Sequence, residues 1–449
     1  MVDPRDNAIS QSKFINRNIS RICAYIVPKA KILLKFLLAQ GTSSAINMLY
    51  GLMCIRILAV EEYSKYVVVF TVQSTITVLM DSGITGTIIP LIGERVNDNQ
   101  LIADYIASLR ALAHVLFAVV GGGVLFAFPK IIEARKWGNS SSCVMLFILL
   151  ALTWFSRVTS AYGSVLIVKK DRRFWYKTQI YSSVIMLIAL MLVCRVDKMT
   201  AISAMLINLG GIVFTAAMFY RRSRYHLNVK GVKRWNMQKS IIQLASPSIP
   251  GVIFYSFQGQ VGVYALAFMG KSESVAGIGA LSKVCQVTNY VSSMNPVLVE
   301  PFFARLEKRK VIKNAAIILS FASVFSCASM LFVKVFPEAF LWIIGPKYRG
   351  LRQEIFLAVI PGIMSLLGGM VASINSARRF NFYRFNVANI VMTIGVQIIC
   401  VAKMDLSSLY SVLCFNVATG IPGFILVFLT LIYGLRFGGR RVEYDSCES

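Results

Sequence analysis

The sequence predicts an all-α polytopic membrane protein of about twelve transmembrane helices in two six-helix bundles. Three observations carry that expectation. Hydrophobic residues fill 56% of the 449 positions and charged residues only 15%, against about 25% charge in soluble domains. The mean hydropathy is +0.66. Apolar segments of the length needed to cross a ~30 Å hydrocarbon core recur along the whole chain. They fall at about 36–59, 64–92, 108–129, 141–168, 179–196, 199–220, 241–270, 274–303, 314–336, 354–377, 386–402 and 408–435.

An even number of crossings puts both termini on one side, and the lysine and arginine bias of the connections decides which side that is. With the N-terminus cytoplasmic, inside segments hold 32 of the 47 Lys and Arg and outside segments hold 12. Arg56, Arg157 and Lys283 remain within spans. The expected order is a basic cytoplasmic segment at 1–35, a first six-helix bundle at 36–220, a basic cytoplasmic linker at 221–240, a second bundle at 241–435 and a cytoplasmic tail at 436–449. The linker carries Arg221, Arg222, Arg224, Lys230, Lys233, Arg234 and Lys239, which suits a solvated topogenic loop or a docking surface. Residues 1–31 lack the short apolar core of a removable signal peptide. A net charge of +27 would suggest nucleic acid in a soluble chain. Here, segregated by side, it points to anionic membrane lipids as the partner and no nucleic acid.

The halves echo each other. Phe128-Pro129 and Phe336-Pro337 close the third and ninth spans 208 residues apart, Gly138 and Gly345 follow 207 apart, Glu62 and Glu273 open the second and eighth 211 apart, and Tyr220 and Tyr433 close the sixth and twelfth 213 apart. Near-constant offsets indicate a parallel six-plus-six repeat, an arrangement in which substrate sits between the halves.

Several enzyme classes lose ground. Two histidines, His114 and His226, are too few for a histidine-based zinc site. The nine cysteines show no CxxC spacing and lie mostly in apolar runs, where cysteine acts as a small hydrophobe. Gly270-Lys271-Ser272 has Ala265 where a P-loop requires glycine. No catalytic residue, metal or cofactor is expected.

Charges inside spans are more informative, since each costs ~2.5–3.5 kcal/mol on insertion scales and tends to face a bundle interior or wet cavity. A 100° step per residue places Ser74, Thr77, Asp81 and Thr85 on one stripe of the second span, and Thr153, Arg157, Ser160 and Ser164 on one stripe of the fourth. Asp81 and Arg157 lie at matching depth, ~22–24 Å by helical rise from the outer end. They suit a structural ion pair or a cavity-lining substrate or proton site. The eighth span aligns Ser282, Gln286, Asn289, Ser293 and Glu300 with Lys283 at the stripe's edge, while Pro296 threatens a kink before Glu300. The first span aligns Gln40, Ser44, Asn47, Gly51 and Cys54. Both stripes are candidate cavity walls. Arg56 points away from its stripe, as an outer-end anchor or a partner of Glu61 or Glu62.

Four motifs then carry a resemblance. Arg56-Ile-Leu-Ala-Val-Glu-Glu-Tyr-Ser-Lys-Tyr, Leu79-Met-Asp-Ser-Gly-Ile, Val275-Ala-Gly-Ile-Gly-Ala-Leu-Ser-Lys-Val and Gly345-Pro-Lys-Tyr resemble the signatures of Wzx-like polysaccharide flippases of the multidrug/oligosaccharidyl-lipid/polysaccharide superfamily. Ala59 and Ser64 stand where that family usually has glycine. The resemblance implies a MATE-like fold in a bacterial cytoplasmic (inner) membrane. It also implies translocation of undecaprenyl-diphosphate-linked oligosaccharide by alternating access, for O-antigen or another surface polysaccharide. Implied partners are the lipid-linked oligosaccharide, a polysaccharide polymerase with chain-length proteins, and a coupling H+ or Na+. Arg157 and Lys283 would suit the diphosphate, with Asp81, Gln286, Asn289, Asn47 and Gln40 as further cavity candidates and Arg56 and Glu300 behind them. Rival readings are a multidrug/cation antiporter of the same superfamily, expected to place acids in its cavity, and a membrane glycan polymerase or acyltransferase. A polymerase is expected to carry a large periplasmic loop, whereas the longest outside connection spans Pro337–Gln353; neither histidine has an acyltransferase setting.

Topology is testable directly. Reporter fusions after Ser240 should give a cytoplasmic signal and fusions near Lys347 a periplasmic one; a periplasmic signal after Ser240 would remove the six-plus-six division.

Overall fold

The computed structural model describes residues 41–437 except positions 94, 136, 197, 198, 248, 293 and 381. Gln40, Ser293, the segment 1–35 and the tail beyond 437 therefore lie outside the described residues. Lipid offers no hydrogen bonds, so a chain crossing it must satisfy its backbone internally, and the described residues form helices and no strand. They are α1 (41–57), α2 (Val60–Asp81), α3 (Ile88–Ile92), α4 (Asn99–Arg135), α5 (Asn139–Val168), α6 (Arg172–Val196) and α7 (Ala201–Leu227), followed by α8 (Trp235–Ala245), α9 (Ile249–Gln258) and α10 (Val261–Met269). The chain continues with α11 (Ser272–Ser292), α12 (Asn295–Ala304), α13 (Lys308–Val335), α14 (Pro337–Ile344), α15 (Arg352–Ala377), α16 (Tyr383–Lys403) and α17 (Leu409–Phe437).

Eight of these helices are each long and apolar enough to cross a membrane, and two bent pairs pass the same test together. Large apolar side chains such as Val119, Phe126, Phe147, Phe321 and Val324 are exposed on α4, α5 and α13, as a lipid-facing belt requires. This is a multi-pass membrane protein.

Several expected segments are broken or extended for local reasons. The run 64–92 bends by 41° between α2 and the short helical stretch Thr85–Ile92, where Ser82 adopts φ 42° and Gly83 φ 78°. The run 241–270 forms α8, α9 and α10, with a 60° bend between the first two; Pro247 and Pro250 there lack the N–H that would continue the ladder. The run 274–303 divides into α11 and α12 just ahead of Pro296, so Glu300 sits on a separate helix from Gln286. Pro129, expected to close the third span, instead lies inside α4, which continues to Arg135. Phe336-Pro337 does end α13 and opens α14, so the connection 337–353 is partly helical.

The basic linker is shorter and better held than its sequence range suggests. Helix α7 runs to Leu227 and α8 begins at Trp235, and the intervening strand of chain lies along α4. Buried Asp104 accepts the Val232 N–H at 2.8 Å and pairs with Arg234 at 2.9 Å, and the Arg234 N–H donates to Ser108 at 3.0 Å. A Cβ on Gly231 would collide with the Ala103 carbonyl, so only glycine permits this approach. Nearby, Asp171 accepts from Arg222 at 2.7 Å and His226 at 2.8 Å, tying the α5–α6 turn to α7. Burial pushes the Asp171 carboxyl upward, but these hydrogen bonds outweigh it and hold the group below its ordinary value.

The two halves meet along α2 and α11, and one end of the seam is latched. The Arg56 guanidinium donates to the carbonyls of Ile343 and Trp342 and lies 5.4 Å over the Trp342 ring. Lys347 returns the contact, donating to the carbonyls of Arg56 at 2.9 Å and Leu58 at 2.7 Å. Arg135 donates to the carbonyls of Ala267 and Leu266. At the opposite end, Ser376 meets Glu300 and Arg378 the Leu306 carbonyl in one half, and Asp171 meets Arg222 and His226 in the other.

Along the seam a Cβ on Gly279 of α11 would strike Val67 of α2. Small residues at such crossings let helices approach closely in lipid. Gly279→Leu should therefore destabilise the protein by about 1–3 kcal/mol through overpacking, read as a lowered Tm in detergent. Adding Val67→Ala should recover part of that loss. No recovery would mean that Val67 is not what Gly279 makes room for.

Candidate functional site

Beyond the latched end, a cavity of about 450 Å³ opens at mid-depth in the first half. Four helices supply its polar wall through residues spaced three or four apart, one face of a 3.6-residue period. Helix α5 gives Ser156, Thr159 and Ser160; α6 gives Gln179, Ser182 and Ser183; α7 gives Asn208, Gly211 and Thr215; α2 gives Tyr66, Phe70 and Gln73. Helix α1 adds Asn47, Tyr50 and Gly51. The second half reaches in through α11 alone, with Lys283, Gln286 and Tyr290.

Among the described residues Lys283 is the one cation in this lining, and none of them places a carboxylate in it. Its ammonium lies 5.3 Å from the centre of the Phe70 ring and 3.5 Å from the Gln286 side-chain amide oxygen Oε1. A Cβ on Gly51 would sit 3.1 Å from its Cε, so the missing side chain on α1 makes room for the lysine stem. No ion pair among the described residues holds it.

The sequence candidates separate into three groups. Lys283, Gln286 and Asn47 share the cavity. Asn289 is exposed and lies outside that lining, as does Ser282, whose hydroxyl returns to the Gly279 carbonyl of its own helix. Glu300 faces Ser376 at 3.0 Å inside the second half, and Arg56 serves the latch.

Asp81 and Arg157 form the third group. They meet at 2.7 Å, as matching depths on α2 and α5 allow, and Thr85 donates to the same Asp81 oxygen. Arg157 is 4% exposed and Asp81 37%. The arginine also borders a separate void of about 40 Å³ with Arg110, His114, Trp154 and Tyr162, and its Nε and Nη2 are buried without a partner. His114 packs on Trp154 with ring centres 5.0 Å apart, a helix-packing role.

Gln73, Gln179 and Asn208 were missed as individual candidates. Their signal was the same one that identified α2 and α5: polar residues in helical register within apolar runs. Nothing in the register, however, says which stripes converge. Among the described residues no group of three or more His, Cys, Asp and Glu side chains is placed to hold a metal.

No protein-family model matches the chain, and no curated protein sequence matches it. Solved structures do match in fold. A multidrug resistance MATE family transporter of the MOP superfamily, in its inward-facing conformation, aligns with TM-score 0.67 at 11% identity over 91% of this chain and 96% of its own. The lipid II flippase MurJ, in an inward closed conformation, aligns with TM-score 0.65 at 14% identity over 90% of this chain and 87% of its own. A MATE in complex with MaL6 gives TM-score 0.57 at 13% identity over 89% and 95%. The chain has the fold of these transporters.

The asymmetric exposure of the Asp81–Arg157 pair sets an order of effects. Asp81→Ala leaves a buried guanidinium without its counter-charge and should cost about 3 kcal/mol or more. Arg157→Ala leaves a carboxylate that water already reaches, and should cost distinctly less once screening is counted. Thermal unfolding of the two purified variants measures both. Equal losses would assign the arginine's burial no role.

Proposed function

We propose that the protein is a translocase that carries undecaprenyl-diphosphate-linked oligosaccharide from the cytoplasmic to the periplasmic leaflet of a bacterial cytoplasmic membrane, for O-antigen or another surface polysaccharide. The observation that carries this reading is the cavity lining: hydroxyls, amides and aromatic rings, one cation without an ionic partner, and no carboxylate. A diphosphate–sugar headgroup cannot cross hydrocarbon unaided, since desolvating its charge costs several kcal/mol per ion or more. Lys283 replaces hydration at the diphosphate through charge-assisted hydrogen bonds. Serine, threonine, asparagine and glutamine side chains replace it at sugar hydroxyls, while the polyprenyl tail stays in lipid. A cation exporter would gain from carboxylates in this cavity, and its lining has none.

The cation bias supports twelve crossings with both termini cytoplasmic. In that orientation the Arg56–Trp342 and Arg135–Leu266 latches close the periplasmic end, which makes this the loading conformation. Alternating access then requires those carbonyl contacts to release as the cytoplasmic ends of the halves approach. Coupling to H+ or Na+ and hand-over to a polymerase with its chain-length proteins complete the proposed cycle.

A charge-assisted contact in a partly dry cavity is worth about 1.5–3 kcal/mol. Lys283→Ala should accordingly lower surface-glycan export roughly ten- to a hundredfold at unchanged membrane abundance. Lys283→Arg should retain more activity and Lys283→Glu none. Complementation of an export-deficient strain, with polymer and protein level measured together, checks all three. Full export by a stable Lys283→Glu protein would remove the residue from the site.

A further inference from the structure

The second half contains a larger cavity, about 890 Å³, lined by α9, α15, α16 and α17. Its position is not arbitrary. Residues lining the first cavity map onto residues lining the second at the offsets of the internal repeat. On α5 and α15, Ser156 and Ser160 pair with Met364 and Gly368, each 208 apart. On α6 and α16, Gln179 and Ser182 pair with Asn386 and Asn389, each 207 apart. On α7 and α17, Asn208, Gly211, Ile212 and Thr215 pair with Gly420, Gly423, Phe424 and Val427, each 212 apart. The two cavities are therefore the same site of the repeat, built twice.

The copies have diverged in chemistry. Where the first has Ser160 and Asn208, the second has Gly368 and Gly420, which strips the wall to backbone and enlarges the space. Where the first has Ile212, the second has the ring of Phe424. Its other polar groups are neutral, Tyr255 donating no charge and Asn389 holding the Tyr255 hydroxyl at 2.6 Å. Among the described residues its one cation is Arg379, exposed just past the end of α15 at φ 57°, and none of them lines it with a carboxylate. A volume near the upper end of the ~300–1,000 Å³ range of small-molecule pockets, with aromatic faces and amides that donate and accept together, suits neutral polyhydroxylated rings.

We propose that this cavity in the second half binds the uncharged sugar rings of the substrate while Lys283, reaching from α11 into the first cavity, binds its diphosphate. The proposal rests on the lipid-linked oligosaccharide reading and assigns its two chemical parts to the two copies of the repeat. Helix α11 lies between the first cavity and α15: it turns Lys283, Gln286 and Tyr290 to the first cavity, while Cys285 donates to the Ala358 carbonyl of α15 at 2.9 Å on its other side.

The test measures binding to the full-length protein in nanodiscs of undecaprenyl diphosphate and of undecaprenyl-diphosphate-linked N-acetylglucosamine, glucose and galactose. Gly368→Phe fills the cavity from a position where a Cβ meets only Phe424 and Val427 at ordinary contact, 3.7 and 3.8 Å. Asn389→Leu removes an amide at the same number of side-chain heavy atoms, and serves if the first variant folds poorly. Both should weaken the preferred sugar-bearing lipid five- to tenfold and leave sugar-free undecaprenyl diphosphate unchanged, whereas Lys283→Ala should weaken both classes alike. If Lys283→Ala weakens both and the cavity variants change neither, the sugar assignment is overturned and the translocase reading stands. If the unaltered protein binds none of these lipids, the reading and the assignment fall together.

Discussion

The approach of α11 to α2 is the contact on which the rest of the arrangement depends. Gly279 presents no side chain to Val67, so the two helices close to a distance that a larger residue would prevent. One turn further along α11, that same approach carries Lys283 across the seam into a cavity otherwise built by the other half, into space left by Gly51. Hydrophobic attraction cannot hold two helices together in lipid, where the alternative environment is equally apolar. Close packing and the polar latch at one end supply the hold instead. A latch made of side chains on carbonyls is also one that can release without leaving a buried charge stranded, since Arg56 and Lys347 are near the exposed rim.

Charge is distributed by the same economy. The chain has 20 acidic residues against 47 basic ones, and several of the buried or half-buried acids have structural tasks. Asp81 neutralises Arg157, Asp104 anchors the linker, Asp171 gathers Arg222 and His226, and Glu62 accepts the Ala201 N–H at 2.7 Å. Among the described residues, neither cavity is lined by a carboxylate. Lys283 in such a setting has no carboxylate among the described residues to displace before an anion binds, only the Phe70 ring and the Gln286 amide, and that lowers the cost of binding.

The matched offsets of the two cavity linings, read as a repeat, let like halves carry unlike sites. The helical scaffold keeps the lining registers constant to within the repeat offset, while substitutions on those registers change polarity and volume independently. Breaks in the helices are not shared so evenly. Pro129 is accommodated inside α4, whereas Phe336-Pro337 separates α13 from α14, and the end of α14 at Gly345 leaves the last-turn carbonyls of Trp342 and Ile343 free for the latch.

The sequence by itself determined that the chain crosses a membrane many times, where most apolar segments run, and that Asp81 and Arg157 share a depth. Hydropathy is a local sum and helical rise is constant, so neither needs the tertiary structure. It also led to the expectation of a six-plus-six repeat and marked Lys283 as a cation within a span. Only the tertiary structure decided that Lys283 enters the opposite half, that Arg56 binds carbonyls of α14 rather than Glu61 or Glu62, that the linker is fastened through Asp104, and that Arg157 sits outside the cavity while Gln73, Gln179 and Asn208 line it. A polar stripe fixes which face of a helix avoids lipid but not which neighbour that face meets. In a membrane the lipid-facing and protein-facing sides are almost equally apolar, so the pattern that orients a soluble helix is largely absent. Partner choice then rests on close contacts between residues far apart in the chain, such as Gly279 with Val67 and Gly51 with Lys283, whose meeting no local property of the sequence records.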